Sequence, residues 1–298
     1  MQKGRMDMIS EDTTLEDFQE QFDTEEACIA YFFQAKWPNG FSCSRCGHNH
    51  AYTINTRRLS LYECRQCHYQ SSIISGTILE GSRTDLRKWL LSIFLISRAD
   101  QGINAVKLSS IIQVTYKTAW LMLRKIRHAI STTDGQMLLS GIVRVNAATY
   151  GKPYNSSFCN HPQEHPVLIG SSMNQYNEPT YIKIKLVSES NWHKRQISPS
   201  GTAAFTHRHV EPHMKDIEYV TGRFNPKRFR QLLSLVDQAS KWIHTTFHGL
   251  GSKHLQAYMD EFTYRVNLNL QKKPIFPNLT QLCVSIPAVT YLFLTRIA

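Results

Sequence analysis

Cys43-Ser-Arg-Cys46 and Cys64-Arg-Gln-Cys67 stand 17 residues apart. Four thiolates in two such knuckles complete the tetrahedral shell that Zn²⁺ prefers, so the spacing predicts a structural zinc site at Cys43, Cys46, Cys64 and Cys67. Two redox pairs are the competing reading, but no βαβ pattern surrounds either pair. The intervening YTINTRRLSLYEC alternates like a hairpin that brings the knuckles together, which is the plan of a zinc ribbon. A ribbon of ~30 residues builds no core alone, so the metal supplies its folding energy and its surface is left for contacts. Arg45, Arg57, Arg58 and Arg65 make that surface basic, while His48, His50 and His68 read as solvated neighbours.

A second grouping of possible ligands has matching offsets: Cys159-x-His161-x3-His165 and His207-x-His209-x3-His213. Imidazole and thiolate suit a transition metal, and a solvated His-rich surface is the competing reading. Cys28, Cys159 and Cys283 remain outside the knuckles and are expected to be buried thiols.

The elements that must position these residues follow from charge and periodicity. The chain has 298 residues, enough for two or three domains, with 34 Lys and Arg against 23 Asp and Glu, a net charge of +11 and 13 His. That excess points to a polyanionic partner, nucleic acid ahead of an anionic membrane. Residues 1–40 carry 3 basic and 9 acidic side chains, residues 41–135 carry 13 and 5, and residues 136–298 carry 18 and 9. The first stretch therefore reads as a helical, acid-faced lead-in, and nucleic acid falls to the other two. The acidic start has no apolar run of the secretory type, and Leu282–Leu294 is too short and too polar for a membrane span. A cytoplasmic protein is expected, with no membrane partner.

After the ribbon, placed at 41–80, residues 82–133 turn helical. Leu86, Leu90, Ile93, Phe94 and Ser97 share one face, with capping-box spacing from Ser82 to Asp85. NAVKLSSIIQV gives a short second helix, and Thr115 caps a third in which Ala119, Met122, Leu123, Ile126 and Ile130 recur at helical spacing. Helix, short turn, helix is the plan of a helix-turn-helix. Lys117, Arg124 and His128 share the opposite face of the third helix, where a recognition helix meets DNA; an ordinary solvated face is the competing reading. Residues 138–298 show β-like GIVRVNAATY, HPVLIGSSM and PTYIKIKLVS, then helical LLSLVDQASKWIHTTF and LQAYMDEFTYRVN. The expected class is a multidomain α+β protein.

The runs FQAKWPNGFSCSRCG, YECRQCHYQSSIISGTIL, TDLRKWLLSIFLIS, YKTAWLMLRKIRHAI, LSGIVRV and HTTFHGLGSKHLQAYMDEFTYRVN resemble the zinc-ribbon group of bacterial insertion-sequence transposases. The resemblance covers roughly residues 15–145 and 230–268. It implies that the front domains bind double-stranded DNA at the element's termini in the nucleoid, with a dimer or higher assembly pairing two ends. It further implies that 138–298 is a ribonuclease-H-like domain that cuts and joins strands with Mg²⁺ held by carboxylates.

The residues that match the family's acids are not acids. Val143-Arg144-Val145-Asn146-Ala147 stands at the first acid, Thr206-His207 at the second, where a Thr-Asp pair ends a strand, and Leu233 at the third position, which is a His or Asn in the family. Glu261 alone matches an acid, with a surface pair to Arg265 at i+4 as its competing reading. Asn146, His207 and Glu261 are thus the candidate catalytic positions, and the domain reads as degenerate for strand transfer. A working transposase whose acids lie elsewhere (Asp216, Asp237 or Asp260) and a DNA-binding regulator without catalysis are the alternatives.

Overall fold

The computed structural model describes residues 9, 13–98, 102–151, 163–193, 196–222, 225 and 228–296. In chain order its elements are helices α1 (Leu15–Gln21) and α2 (Glu25–Lys36), strands β1 (Ala51–Ile54), β2 (Leu61–Cys64) and β3 (Gln70–Ser72), and helices α3 (Leu86–Ser97), α4 (Ala105–Ile112) and α5 (Tyr116–Gln136). Strands β4 (Ile142–Tyr150), β5 (His165–Met173), β6 (Pro179–Leu186), β7 (Trp192–His193) and β8 (Gln196–Ile197) follow. The remaining elements are α6 (Pro199–His209), β9 (Ile217–Val220), α7 (Arg230–Phe247), α8 (Ser252–Leu270), α9 (Ile275–Ser285) and α10 (Tyr291–Arg296). Helices and strands divide between two units, so the protein is a multidomain α+β chain.

The first unit takes residues up to 98, then 105–129 and 274–294. Thr14 and Asp17 cap α1 reciprocally, satisfying the donors that a helix start leaves open. α1 then delivers Phe18 to a ring cluster: Phe18 stacks on Phe94 at 4.0 Å and meets Phe276 edge-on at 5.5 Å. Phe276 belongs to α9, which packs against α2 and α3 although it lies some 180 residues downstream of α3 and further still from α2. The apolar stripe of α3 is buried along its length, and so are Ala119, Met122, Leu123, Ile126 and Ile130 of α5. Thr115 accepts from the Thr118 amide at 3.2 Å, the cap that starts α5. At α3 the helix starts one turn later than a box from Ser82 would put it. Asp85 is the N-cap without a side-chain bond, and the Ser82 hydroxyl accepts instead from Trp89 Nε1 at 3.0 Å.

The second unit, residues 99–104 and 130–273 with the last few residues, is built on a four-stranded sheet in the order β6-β5-β4-β9. β4, β5 and β6 form an antiparallel meander, and β9 joins parallel to β4. α6 covers one face, with Phe205 and Val210 against Val143, Val145 and Leu168. α7 and α8 cover the other, with Leu232, Val236, Leu255 and Met259 against Val167, Ile169 and Ile184. Gly170 of β5 is what lets α6 settle: a Cβ there would stand 2.7 Å from the Phe205 ring.

Two expectations change here. The segment containing Thr206 and His207 is helical rather than the end of a strand, because Ser198 caps it, Pro199 opens it and Ala203 and Ala204 favour it. The strand that runs parallel to β4 is β9, which ends at Val220. Residues 274–294 join the first unit instead of continuing the second.

Candidate metal centre and nucleic-acid interface

β1 and β2 pair antiparallel with Ala51 opposite Cys64, which brings the knuckle following β2 beside the one preceding β1. The knuckles are built alike. The Gly47 amide donates to the Cys43 carbonyl and the His68 amide to that of Cys64. The Cys43 amide donates to the His48 carbonyl and the Cys64 amide to that of Tyr69. Each turn needs a left-handed residue, supplied by Gly47 at φ 74° and by His68 at φ 55°.

Cys43 and Cys67 Sγ lie 3.6 Å apart, as do Cys46 and Cys64 Sγ, and all four sulfurs fall within 4.8 Å of one another. Zinc–sulfur bonds of about 2.3 Å in a tetrahedron place neighbouring sulfurs about 3.8 Å apart, so the four residues fit structural Zn²⁺. Burial pushes the Cys43 thiol up, but the backbone N–H groups of Arg45 and Cys46 and the Cys67 and Cys46 thiols outweigh it and hold it below its ordinary value, while the crowded thiols leave Cys46 raised, so that the set shares its protons. Thiolate is the form a metal takes. Beneath the site Trp37, Phe41, Cys43 and Cys64 form a small core with Phe33 and Tyr62, so α2 supplies apolar support that the ribbon lacks.

The basic residues expected on DNA separate into three situations. Arg57 is exposed, and Arg65 is exposed with its guanidinium 4.7 Å over the Tyr52 ring. Arg58 is exposed too, but its guanidinium is held by Glu25 at 2.8 Å and Asp85 at 2.6 Å. Of the three expected cations on α5, only Lys117 is exposed. Arg124 is 4% exposed and donates to the Leu294 carbonyl at 2.8 Å, while the half-buried His128 ring stands 5.5 Å from Phe293. The expectation of an open recognition face is corrected: α10 lies along it.

The three candidate catalytic residues are not brought together. Asn146 is fully buried on the α7 side of β4, where Nδ2 donates to the Phe229 carbonyl at 3.0 Å and Oδ1 has no partner. His207 is exposed on α6, across the sheet. Glu261 is buried in α8 and accepts from Arg265 at 2.6 Å, an i+4 pair inside the protein rather than on its surface. Of the other acids, Asp216 holds Arg144 at 2.5 Å and Asp260 holds Lys185 at 2.6 Å.

A cavity of about 350 Å³ opens beyond the ends of β4 and β9, between Ala147, Thr149, Thr221, Leu233, Asp237 and Glu164. Glu164 is 3% exposed, and no motif or periodicity in the sequence singles it out. Its only signal is being a carboxylate in a stretch otherwise free of acids. Cys159 and His161 lie outside the described residues. Among the described residues the four knuckle cysteines are the only group of three or more ligands close enough for a metal.

Residues 23–70 match a family described as the transposase zinc-ribbon domain. This stretch is a zinc ribbon of the transposase type. A curated relative from Halobacterium salinarum (strain ATCC 700922 / JCM 11081 / NRC-1), an uncharacterized protein in transposable element ISH50, is 27% identical over 110 residues. That alignment covers 37% of this chain and 37% of the relative, well short of either whole protein. No solved structure matches the chain. No helix among the described residues is long and apolar enough to cross a membrane.

Proposed function

We propose that the chain binds the double-stranded termini of its insertion element through the zinc ribbon and the helices of residues 82–133, and that residues 138–273 descend from a ribonuclease-H-like strand-transfer domain. The observation that carries the reading is the tetrahedral arrangement of Cys43, Cys46, Cys64 and Cys67 inside the matched transposase zinc ribbon. The α3–α4–α5 succession, with a three-residue connection before α5, supports a helix-turn-helix. An antiparallel three-strand meander extended by a parallel fourth strand, with helices on both faces, supports the ribonuclease-H-like layer. DNA pairing implies a dimer or larger assembly in the nucleoid, and the protein is placed in the cytoplasm.

The domain reads as degenerate because two divalent ions about 4 Å apart repel and need several carboxylates to hold them. Asn146 is neutral, His207 faces solvent across the sheet and Glu261 is tied to Arg265. One observation favours the working enzyme: Glu164 and Asp237 line a single cavity where β4 and β9 end. Incubation of the zinc-loaded protein with DNA carrying the element's ends and Mg²⁺ or Mn²⁺ separates the two. Binding without cleavage is expected. Cleavage abolished by Glu164→Gln or Asp237→Asn would establish the enzyme, whereas cleavage abolished by Glu261→Gln alone would restore the family position as its acid.

A further inference from the structure

Lys117, Trp120, Arg124 and His128 succeed one another at three- and four-residue steps and so form one stripe along α5. Cations alternate with aromatic surface along it, a composition suited to a nucleic-acid backbone rather than to an apolar core. Yet the stripe is occupied. Tyr291 sits with its ring 5.4 Å from the Lys117 ammonium and 6.3 Å from the Trp120 ring. Phe293 meets His128 at 5.5 Å, and the Leu294 carbonyl takes the hydrogen bond from Arg124.

The occupant is lightly built. α10 has six residues, too few for an isolated helix to persist, and residues 287–290 before it have no regular structure. Leu294 is buried, but Tyr291, Leu292 and Phe293 remain 44%, 60% and 47% exposed, so the segment secures little of the apolar burial that fixes a helix in place. What it satisfies instead is a guanidinium, and with a neutral carbonyl. A phosphate offers the same group an acceptor that is itself charged, with two oxygens matched to the guanidinium fork, which a single carbonyl lacks.

We propose that residues 287–294 are a displaceable strap over a DNA-binding face of α5 formed by Lys117, Trp120, Arg124 and His128, and that duplex phosphates displace it. The inference rests on the DNA-binding reading above. Burial and the Arg124 charge together hold the His128 imidazole below its ordinary value. Uncovering it beside phosphate relieves both, so opening the strap takes up a proton and is favoured at lower pH.

The test compares the zinc-loaded full chain with a chain lacking residues 287–298, each titrated onto a fluorescent duplex of mixed sequence at stepped salt. Removing the strap should tighten binding about tenfold and steepen the dependence of log K on log salt by about 0.9 for each further phosphate neutralised. Lys117→Ala with Arg124→Ala in the shortened chain should abolish that tightening. Tyr291→Ala with Phe293→Ala in the full-length chain provides a milder opening that keeps α9 intact and should give a smaller effect of the same kind. In the full chain, saturating duplex should raise proteolytic cleavage within residues 287–294. Tight binding by the full chain with no tightening in either opened form overturns the strap and leaves the DNA-binding reading standing. So does a tightening that survives loss of Lys117 and Arg124, or protection of residues 287–294 by DNA. Absence of duplex binding in every form overturns both.

Discussion

The Lys185 ammonium stands 2.6 Å from the Asp260 carboxylate, with both side chains almost withdrawn from water. Lys185 also reaches Asp134 at 2.6 Å, and Asp134 in turn holds the fully buried Lys183 at 3.0 Å. These four charges tie β6 to α8 and to the end of α5 on the sheet side that also receives α6. Ser131 and Gln256 complete the Asp260 carboxylate with bonds of 2.7 Å each. The acid beside Glu261 in the sequence is therefore structural.

Asp260→Asn should destabilise the second unit by about 3 kcal/mol, because removing one partner leaves a buried ammonium uncompensated. Chemical denaturation followed by circular dichroism measures it. Lys117→Ala, outside the network, serves as the neutral comparison.

Acid should weaken the same region early. Burial, aided by the charges of Lys185 and Lys183, depresses His209 to about 4. A neutral histidine of this kind gives its full stabilisation above the unfolded value of about 6.5 and loses it as pH falls toward 4. Burial alone would raise Asp134, but Lys185 and Lys183 outweigh it and hold the carboxyl below its ordinary value, so its contribution is lost at still lower pH. Unfolding free energy should decline in two stages on acidification, and His209→Gln should remove the first. Denaturant titrations at stepped pH decide this.

One zinc per chain is expected on metal analysis of protein prepared without chelator. Cys46→Ser should release it and unfold residues 41–75, read by hydrogen exchange. The Trp37, Phe41 and Tyr62 cluster is too small to hold the ribbon without the metal, so chelator should reproduce the effect of the substitution.

The three ribbon arginines should behave differently in a DNA titration. Arg57→Ala and Arg65→Ala should weaken duplex binding and flatten the salt dependence by about 0.9 for each phosphate left without its cation. Arg58→Ala should leave the salt slope closer to that of the parent and cost up to ~1 kcal/mol of stability, since its guanidinium is held by Glu25 and Asp85 in a partly exposed site. Equal slopes for all three would overturn the distinction.

Whatever depends on local period and fixed spacing was legible in the sequence. Two CxxC knuckles define their own geometry, and the buried residues of α5 recur every three or four positions. Strands β4 to β6 alternate or run continuously apolar, so they too stand out. The function of α5's other face was not legible, because a charged stripe reads the same whether water, DNA or a returning segment covers it. Thr206-His207 is different: the family resemblance implies a strand end there, but the Ser-Pro start and paired alanines of this segment make a helix. Glu164 enters its cavity by way of the backbone at Gly151, where a Cβ would stand 2.2 Å from the Gln163 carbonyl. Proximity between segments so placed leaves no mark in periodicity.

The position of Phe276 has a consequence for how the chain is made. Phe18 and Phe94 are synthesised early, but the ring that closes over them arrives only when α9 leaves the ribosome. Throughout elongation the amino-terminal core stays open and sticky, while the sheet unit encoded within it can already fold. A product halted after residue 273 would carry intact zinc ligands and a sheet with all its strands, together with an unclosed aromatic cluster that invites aggregation or degradation. Translation to α9 is thus the step that closes the aromatic core begun by the first hundred residues.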